Sequence, residues 1–248
     1  MRQLVNLAGT TPRVRVVAET FTPGWDTQTL LLETEPGLEI HATLLIPRTP
    51  GRKPGVILVE AQVSPSNLAT QLAARGAVVL ALTPRGLPRK DEERAFSGDW
   101  LANTRAWLIG RNLPGMRAFD ILRGLDLLAS RPDVDAASVR AVARDVAGVW
   151  LLMAAALDNR LTRIWIDRTP YSLRLALERP LHKNLHATLL PGFCLKWDLD
   201  DLRQAIAPRG VLWTDPTDWM NKVVPIVGDF RYRGFEEGDE RMVDEWMR

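Results

Sequence analysis

The sequence predicts an α/β fold, a doubly wound and mostly parallel sheet with antiparallel N-terminal strands. From Gly55 onward, short continuous apolar runs such as VILVE and AVVLALT alternate with helical stretches, and strands buried on both faces of a sheet read this way. Ahead of them stand three β-branched and leucine-rich runs separated by TPGWD and EPG, which are turn signals between antiparallel neighbours. The chain has 248 residues, 46% hydrophobic and 25% charged. That is long enough for one large core and short for two, so residues 1–248 read as a single domain.

The opening strands are expected over Val14 to Glu19, Gln28 to Thr34 and Leu38 to Ile46. After the breaker PRTPGRKPG, the run VILVE is a strand, Asn67 to Arg75 a helix and AVVLALT the next strand, so a parallel β-α-β unit starts here. Pro88 to Gly98 is polar and reads as a surface excursion. Helices follow at Asp99 to Ile109 and Met116 to Ser130, the second with Phe119, Leu122, Leu125 and Leu128 at helical spacing. The turn SRPDVDAASV leads to a strand at Val139 to Ala143 and then, through a tight turn, to the helix Gly148 to Leu157. This helix is apolar on all sides and so belongs inside the domain. TRIWID and GVLWTD are further strands, with an irregular stretch and a helix at Asp198 to Ile206 between them. The tail reads as a brief strand, DFRYRGF, and a terminal helix. In such a sheet the binding crevice lies at the carboxyl ends of the strands.

Composition narrows the partners. With 32 basic and 30 acidic residues spread along the chain, the net charge is +2; no basic stripe can be read, which argues against nucleic acid. Apolar runs such as Val149 to Leu157 are too short to span a bilayer, and MRQLVNLAGT lacks the apolar region of a secretory signal. A soluble protein without a membrane partner is expected, either cytoplasmic or a mature or excised form. The single cysteine, Cys194, forbids an internal disulfide and sits among apolar neighbours as an inert thiol.

Several stretches appear in a recognisable order: the R-x-x-D helix in GMRAFDILRGLDLLASRPDVD, the S-R-P-x-V-D turn, a strand and elbow ending in AAALD, and A-P-R-x-x-L within LLPGFCLKWDLDDLRQAIAPRGVLWTDPTD. Together they resemble the acetyl xylan esterase and dienelactone hydrolase branch of the α/β-hydrolases, over about Gly55 to Asp218. The resemblance implies ester hydrolysis, often on acylated sugars, by serine, aspartate and histidine in that chain order. It also implies a nucleophile elbow, G-x-S-x-G, between strand and helix.

Measured against that pattern, most of the machinery is missing. The nucleophile position carries Asp145, and Ala143 and Ala147 replace the flanking glycines. The oxyanion region, usually His-Gly, reads Glu60-Ala61-Gln62, an anion where donors should meet a developing oxyanion. Asp218 matches the acid position. The only histidines are His41, His182 and His186, all upstream of Asp218, so the base is absent. Aspartate is the nucleophile in the dehalogenase and epoxide hydrolase branches of the superfamily, but the ester formed there needs a histidine-activated water. The simpler expectation is that Asp145 is an N-cap whose oxygen accepts from the first N–H groups of the helix, or pairs with Arg144 or Arg85.

Glu60, Arg85, Asp167, Arg168, Asp215 and Asp218 all fall at or just after strand ends, beside Arg144 and Asp145. They are expected to converge and satisfy one another by ion pairs, although Asp215 and Arg168 can equally point to water. Trp25, Trp100 and Trp219 suit either sugar stacking or packing. His182 and His186 have i, i+4 spacing but no third ligand, so no metal or other cofactor is expected and they read as surface residues. Ser64 and Ser66 suit capping of the next helix. The expected function is a catalytically degenerate α/β-hydrolase domain with a structural or binding role. Its alternative is a hydrolase of esters or sugar esters that uses Asp145, with a small ester or carbohydrate ligand. The thin tail, with Met242, Val243, Trp246 and Met247 on the terminal helix, suggests docking to a second copy or to a companion hydrolase domain; the same residues would equally cover the domain's own sheet.

Overall fold

The computed structural model describes residues 11–59, 67–86, 98–224 and 240–248. The three opening runs form β1 (Val14–Phe21), β2 (Trp25–Glu35) and β3 (Leu38–Pro47), each antiparallel to the next. Next come β4 (Lys53–Val59), α1 (Asn67–Ala74), β5 (Val78–Thr83), α2 (Gly98–Leu108), α3 (Leu113–Ser130), β6 (Val134–Arg144) and α4 (Ala147–Leu157). The rest is β7 (Leu161–Asp167), the short α5 (Leu175–Glu178), α6 (Leu199–Ile206), β8 (Gly210–Thr214) and α7 (Glu240–Met247). One eight-stranded sheet results, in the order β1-β2-β3-β5-β4-β6-β7-β8. β3 meets β5 antiparallel, and β5, β4, β6, β7 and β8 run parallel. This is the predicted mixed, doubly wound sheet.

Alternation along each strand sends side chains to two cores. Leu80, Ala141 and Ile164 pack with α3, α4 and α6 on one face. Val79, Val142 and Trp165 pack with α1 and α7 on the other. Helix α4 is buried from Ala147 to Ala155, as a helix with no polar face must be. Among the described residues no helix is long and apolar enough to cross a membrane.

Several boundaries differ from expectation, among them the start of β2, at Trp25 and not Gln28, and those of one helix and one further strand. Helix α3 starts at Leu113 because the Asn112 side chain accepts from the Gly115 N–H at 2.7 Å, with Pro114 in the first turn. Strand β6 starts at Val134, pairing with Lys53 before a register shift. Of the two expectations for the side chains of the terminal helix, coverage of the domain's own sheet is what these residues do. Met242, Val243 and Trp246 are buried against the chain's own sheet, with the Trp246 ring 5.7 Å from that of Trp165, and so cannot serve as an exposed contact. The DFRYRGF strand lies outside the described residues.

The motifs that carry the resemblance act as clamps. Arg117 and Asp120, on one face of α3, hold the turn after β5. Arg117 donates to the carbonyls of Arg85 and Gly86 and to Asp99, while Asp120 accepts from the Arg85 N–H at 2.9 Å and from its guanidinium. Arg209 donates to the carbonyls of Ala155, Asp158 and Leu161 and so binds the end of α4 to the start of β7. Arg131 pairs with Asp133 in the turn before β6.

Candidate functional site

Strands β6, β7 and β8 lie side by side, and the residue after each adopts a left-handed backbone: Asp145 (φ 52), Arg168 (φ 51) and Asp215 (φ 40). Such a conformation is uncommon outside glycine; aspartate tolerates it better than arginine. Main-chain bonds fix the steps between them. The Asp145 N–H donates to the Asp167 carbonyl, and the Arg168 N–H to the Thr214 carbonyl, each at 2.9 Å. The chain thus turns sharply at the same level on three adjacent strands.

At the first step the turn enters α4 directly. The Gly148 N–H donates to the Asp145 carbonyl at 3.1 Å. A Cβ on Gly148 would stand 1.9 Å from Thr169 Oγ1 and 2.9 Å from its Cβ, so only glycine fits where α4 meets the loop after β7. The N-cap expectation for Asp145 is corrected. Val146 occupies the cap position with a helical backbone and no side chain caps the helix; Asp145 stands one residue ahead of the cap, in the left-handed region. Its side chain is exposed. Flanking protein still pushes the carboxyl above its ordinary value, chiefly by burial, against the opposing pull of Arg168 and Arg144. Of the arginines expected to pair with it, Arg144 acts on Asp145 and Arg85 does not.

Arg85 is engaged elsewhere. Its guanidinium binds Asp120, Glu35 and Thr34, and both carboxylates act to hold it protonated against the cost of burial. It belongs to the clamp between β2 and α3 and does not join the strand-end cluster. Glu60 lies outside the described residues, as do Ser64 and Ser66.

Asp167 is the buried member of the cluster, 1% exposed. Its Oδ1 accepts from the Thr214 hydroxyl at 2.6 Å, whose oxygen accepts in turn from Trp165 Nε1 at 3.0 Å. Arg144 Nε stands 3.5 Å from Oδ2. Burial dominates and pushes the carboxyl up to about 6; Thr214 and Arg144 oppose the rise and Asp215 adds to it. Thr214 is not legible as a site residue, since a threonine closing an apolar strand is common in sheets.

Asp218 sits in the loop after β8, where the sequence places it, with its carboxylate used locally. Oδ1 accepts from the N–H groups of Met220 and Lys222, and these bonds hold the carboxyl below its ordinary range. No histidine hydrogen-bonds Asp145 or Asp218 among the described residues. His182 and His186 lie on the loop between β7 and α6, which the Lys183 N–H ties to the Trp219 carbonyl at 2.7 Å. His186 is held below its ordinary value by burial and by His182, with Asp99 opposing. Trp219 is buried and donates to the Ser172 carbonyl, which removes it as a sugar platform. Trp25 packs against the core, and Trp100 remains exposed. No cluster of metal-ligating side chains occurs among the described residues.

No protein-family model matches the sequence, and no curated protein matches it. Solved structures do match in shape. The acetyl xylan esterase 1 of a Thermoanaerobacterium species superposes with a TM-score of 0.68 at 16% identity, over 99% of this chain and 90% of that one. A glucuronoyl esterase from Teredinibacter turnerae gives 0.67 at 15% identity, over 96% of this chain and 78% of that one. A Bacteroides fragilis protein described as a candidate acetyl xylan esterase gives 0.69 at 14% identity, over 87% of this chain; the match spans 66% of that protein's length.

Proposed function

Taking the α/β-hydrolase fold as given, we propose that this chain is a catalytically degenerate member of that fold, a domain that binds or scaffolds and does not turn over esters. One observation carries the reading: the residue at the strand-to-helix turn is an aspartate, Asp145, and no histidine among the described residues hydrogen-bonds either it or Asp218, whose carboxylate is taken up by its own loop. Acyl transfer needs a base to receive the nucleophile's proton and return it to the leaving group. The fold neighbours are esterases of acylated or uronic-acid-bearing sugars by name, and a small ester or carbohydrate is the ligand class that this shape suits. Exposed Trp100 supplies an aromatic face for such a ligand.

A second reading has an observation of its own. Asp145 is held in a left-handed turn with its carboxylate exposed and free of hydrogen bonds among the described residues, which is how a nucleophile would be presented. In that reading its carboxylate attacks the alkyl carbon of the ester and displaces the substrate's carboxylate, and water then hydrolyses the alkyl ester on Asp145; Asp167, whose carboxyl is raised and whose main-chain carbonyl accepts from the Asp145 N–H, is the candidate base for that water.

A panel of aryl and sugar esters with a fluorophosphonate probe tests the first reading, with no turnover and no labelling expected. Ester turnover that disappears in Asp145→Asn would overturn it in favour of the second.

A further inference from the structure

Arg140 and Arg163 stand directly in register across the β6–β7 ladder, on parallel strands about 4.8 Å apart. Both reach the same acceptor, the main-chain carbonyl of Trp246 near the end of α7, through Nη1 at 3.0 Å from Arg140 and 3.1 Å from Arg163. Neither pairs with a carboxylate among the described residues. Like charges opposed on neighbouring strands destabilise a sheet. A helix carboxyl end supplies roughly half a negative elementary charge, about a quarter of what two guanidiniums carry, so among the described residues most of the charge is uncompensated. The strain registers on Arg140, whose pKa is pulled down by burial and by Arg163. A second observation comes from Trp246 itself, over whose ring Arg140 lies at 6.0 Å. The residue is 5% exposed, and its indole Nε1 is buried without an acceptor.

We propose that Arg140 and Arg163 form a binding site for a compact oxoanion, either phosphate or the carboxylate of a small acid. Each guanidinium has five N–H donors in a planar fork that matches such anions, and each spends one nitrogen on the Trp246 carbonyl. Arg163 is exposed and Arg140 half-buried, so an anion approaches from the Arg163 side and brings the acceptors this cluster lacks. Arg140 precedes Asp145 by five residues on β6, about 16 Å at 3.3 Å per residue. The site is therefore separate from the strand-end cluster and does not depend on how Asp145 is used.

Thermal unfolding in sodium phosphate, sodium acetate and sodium chloride at equal ionic strength tests this. A saturable rise of about 3 to 5 °C over chloride is expected at ten times the dissociation constant. A rise with phosphate alone assigns the site to phosphate, and one with acetate to a carboxylate. Arg163→Gln removes the rise, Arg163→Lys weakens the affinity about tenfold because the fork is lost and so cuts the rise to about a third, and Arg52→Gln, at an exposed arginine elsewhere, leaves it intact. No saturable rise with either anion, or one that survives Arg163→Gln, overturns the proposal. Phosphorus-31 line broadening on the wild type checks the phosphate arm without any substitution.

Discussion

Asp167→Asn should stabilise the protein at neutral pH and do nothing at acid pH. The carboxyl is raised to about 6 in the folded state, against about 3.9 in an unfolded chain. A raised acid pKa means that the folded state binds the proton more tightly, so the group costs nothing below pH 4, costs progressively more up to pH 6 and reaches a plateau above it. The folded and unfolded values lie about two pH units apart, and at about 1.36 kcal/mol per pH unit the plateau stands at about 3 kcal/mol. Asparagine keeps an acceptor for the Thr214 hydroxyl, now at 2.6 Å from Oδ1, and stays neutral at every pH. It also turns a donor toward Arg144, as the protonated carboxyl does, so the net gain at pH 8 should approach that plateau, about 3 kcal/mol. Urea unfolding of both proteins at unit intervals from pH 4 to pH 8 reads this directly. Equal stability is expected at pH 4, with the variant pulling ahead between pH 4 and 6. A stability difference that is flat with pH, or wild type gaining on the variant as pH rises, would refute the reasoning.

Gly148→Ala should lose about 2 kcal/mol despite alanine's helical advantage, because the new Cβ meets Thr169; adding Thr169→Ala should restore most of it, and a double-mutant cycle by denaturant unfolding measures the coupling. Asp120→Ala should cost about 1 to 3 kcal/mol, since it takes the Asp120 acceptors from the buried Arg85 guanidinium and leaves it to Glu35 and Thr34, and a thermal scan matching wild type would remove the clamp from the account. Asp145→Ser should release no p-nitrophenol from p-nitrophenyl acetate above a heat-denatured control, since no histidine among the described residues stands ready to take the hydroxyl proton.

The sheet is legible because buried parallel strands have to be continuous apolar runs, and VILVE, AVVLALT and TRIWID have no other use in a chain of this length. The R-x-x-D pattern on α3 is visible as a spacing, but its object is not: Asp120 binds Arg85, 35 residues earlier, and no local rule connects them. Asp145 shows the converse limit. Its residue type suits an N-cap, but an aspartate caps only at the residue before the first helical one, and here the helix begins at Ala147, with Val146 at the cap and Asp145 held back at the strand end by its N–H bond to the Asp167 carbonyl. The terminal helix is plainly amphipathic in the sequence. Periodicity reveals that a helix has an apolar face and says nothing about what that face covers, and here it covers Trp165 and α1.

Strand β1 has a bearing on solubility. All eight of its residues are exposed, among them Val14, Val16, Val17 and Phe21, and among the described strands it bonds only to β2. A straight ribbon of this composition would be a template for stacking one molecule on the next. The register break between Val16 and Ala18 interrupts that template, since a bulged strand bends and twists and cannot match a flat neighbour along its length. The irregularity at Val17 makes the outer edge of the sheet a poorer template for such stacking, a consequence for the solution around the molecule and not for its fold.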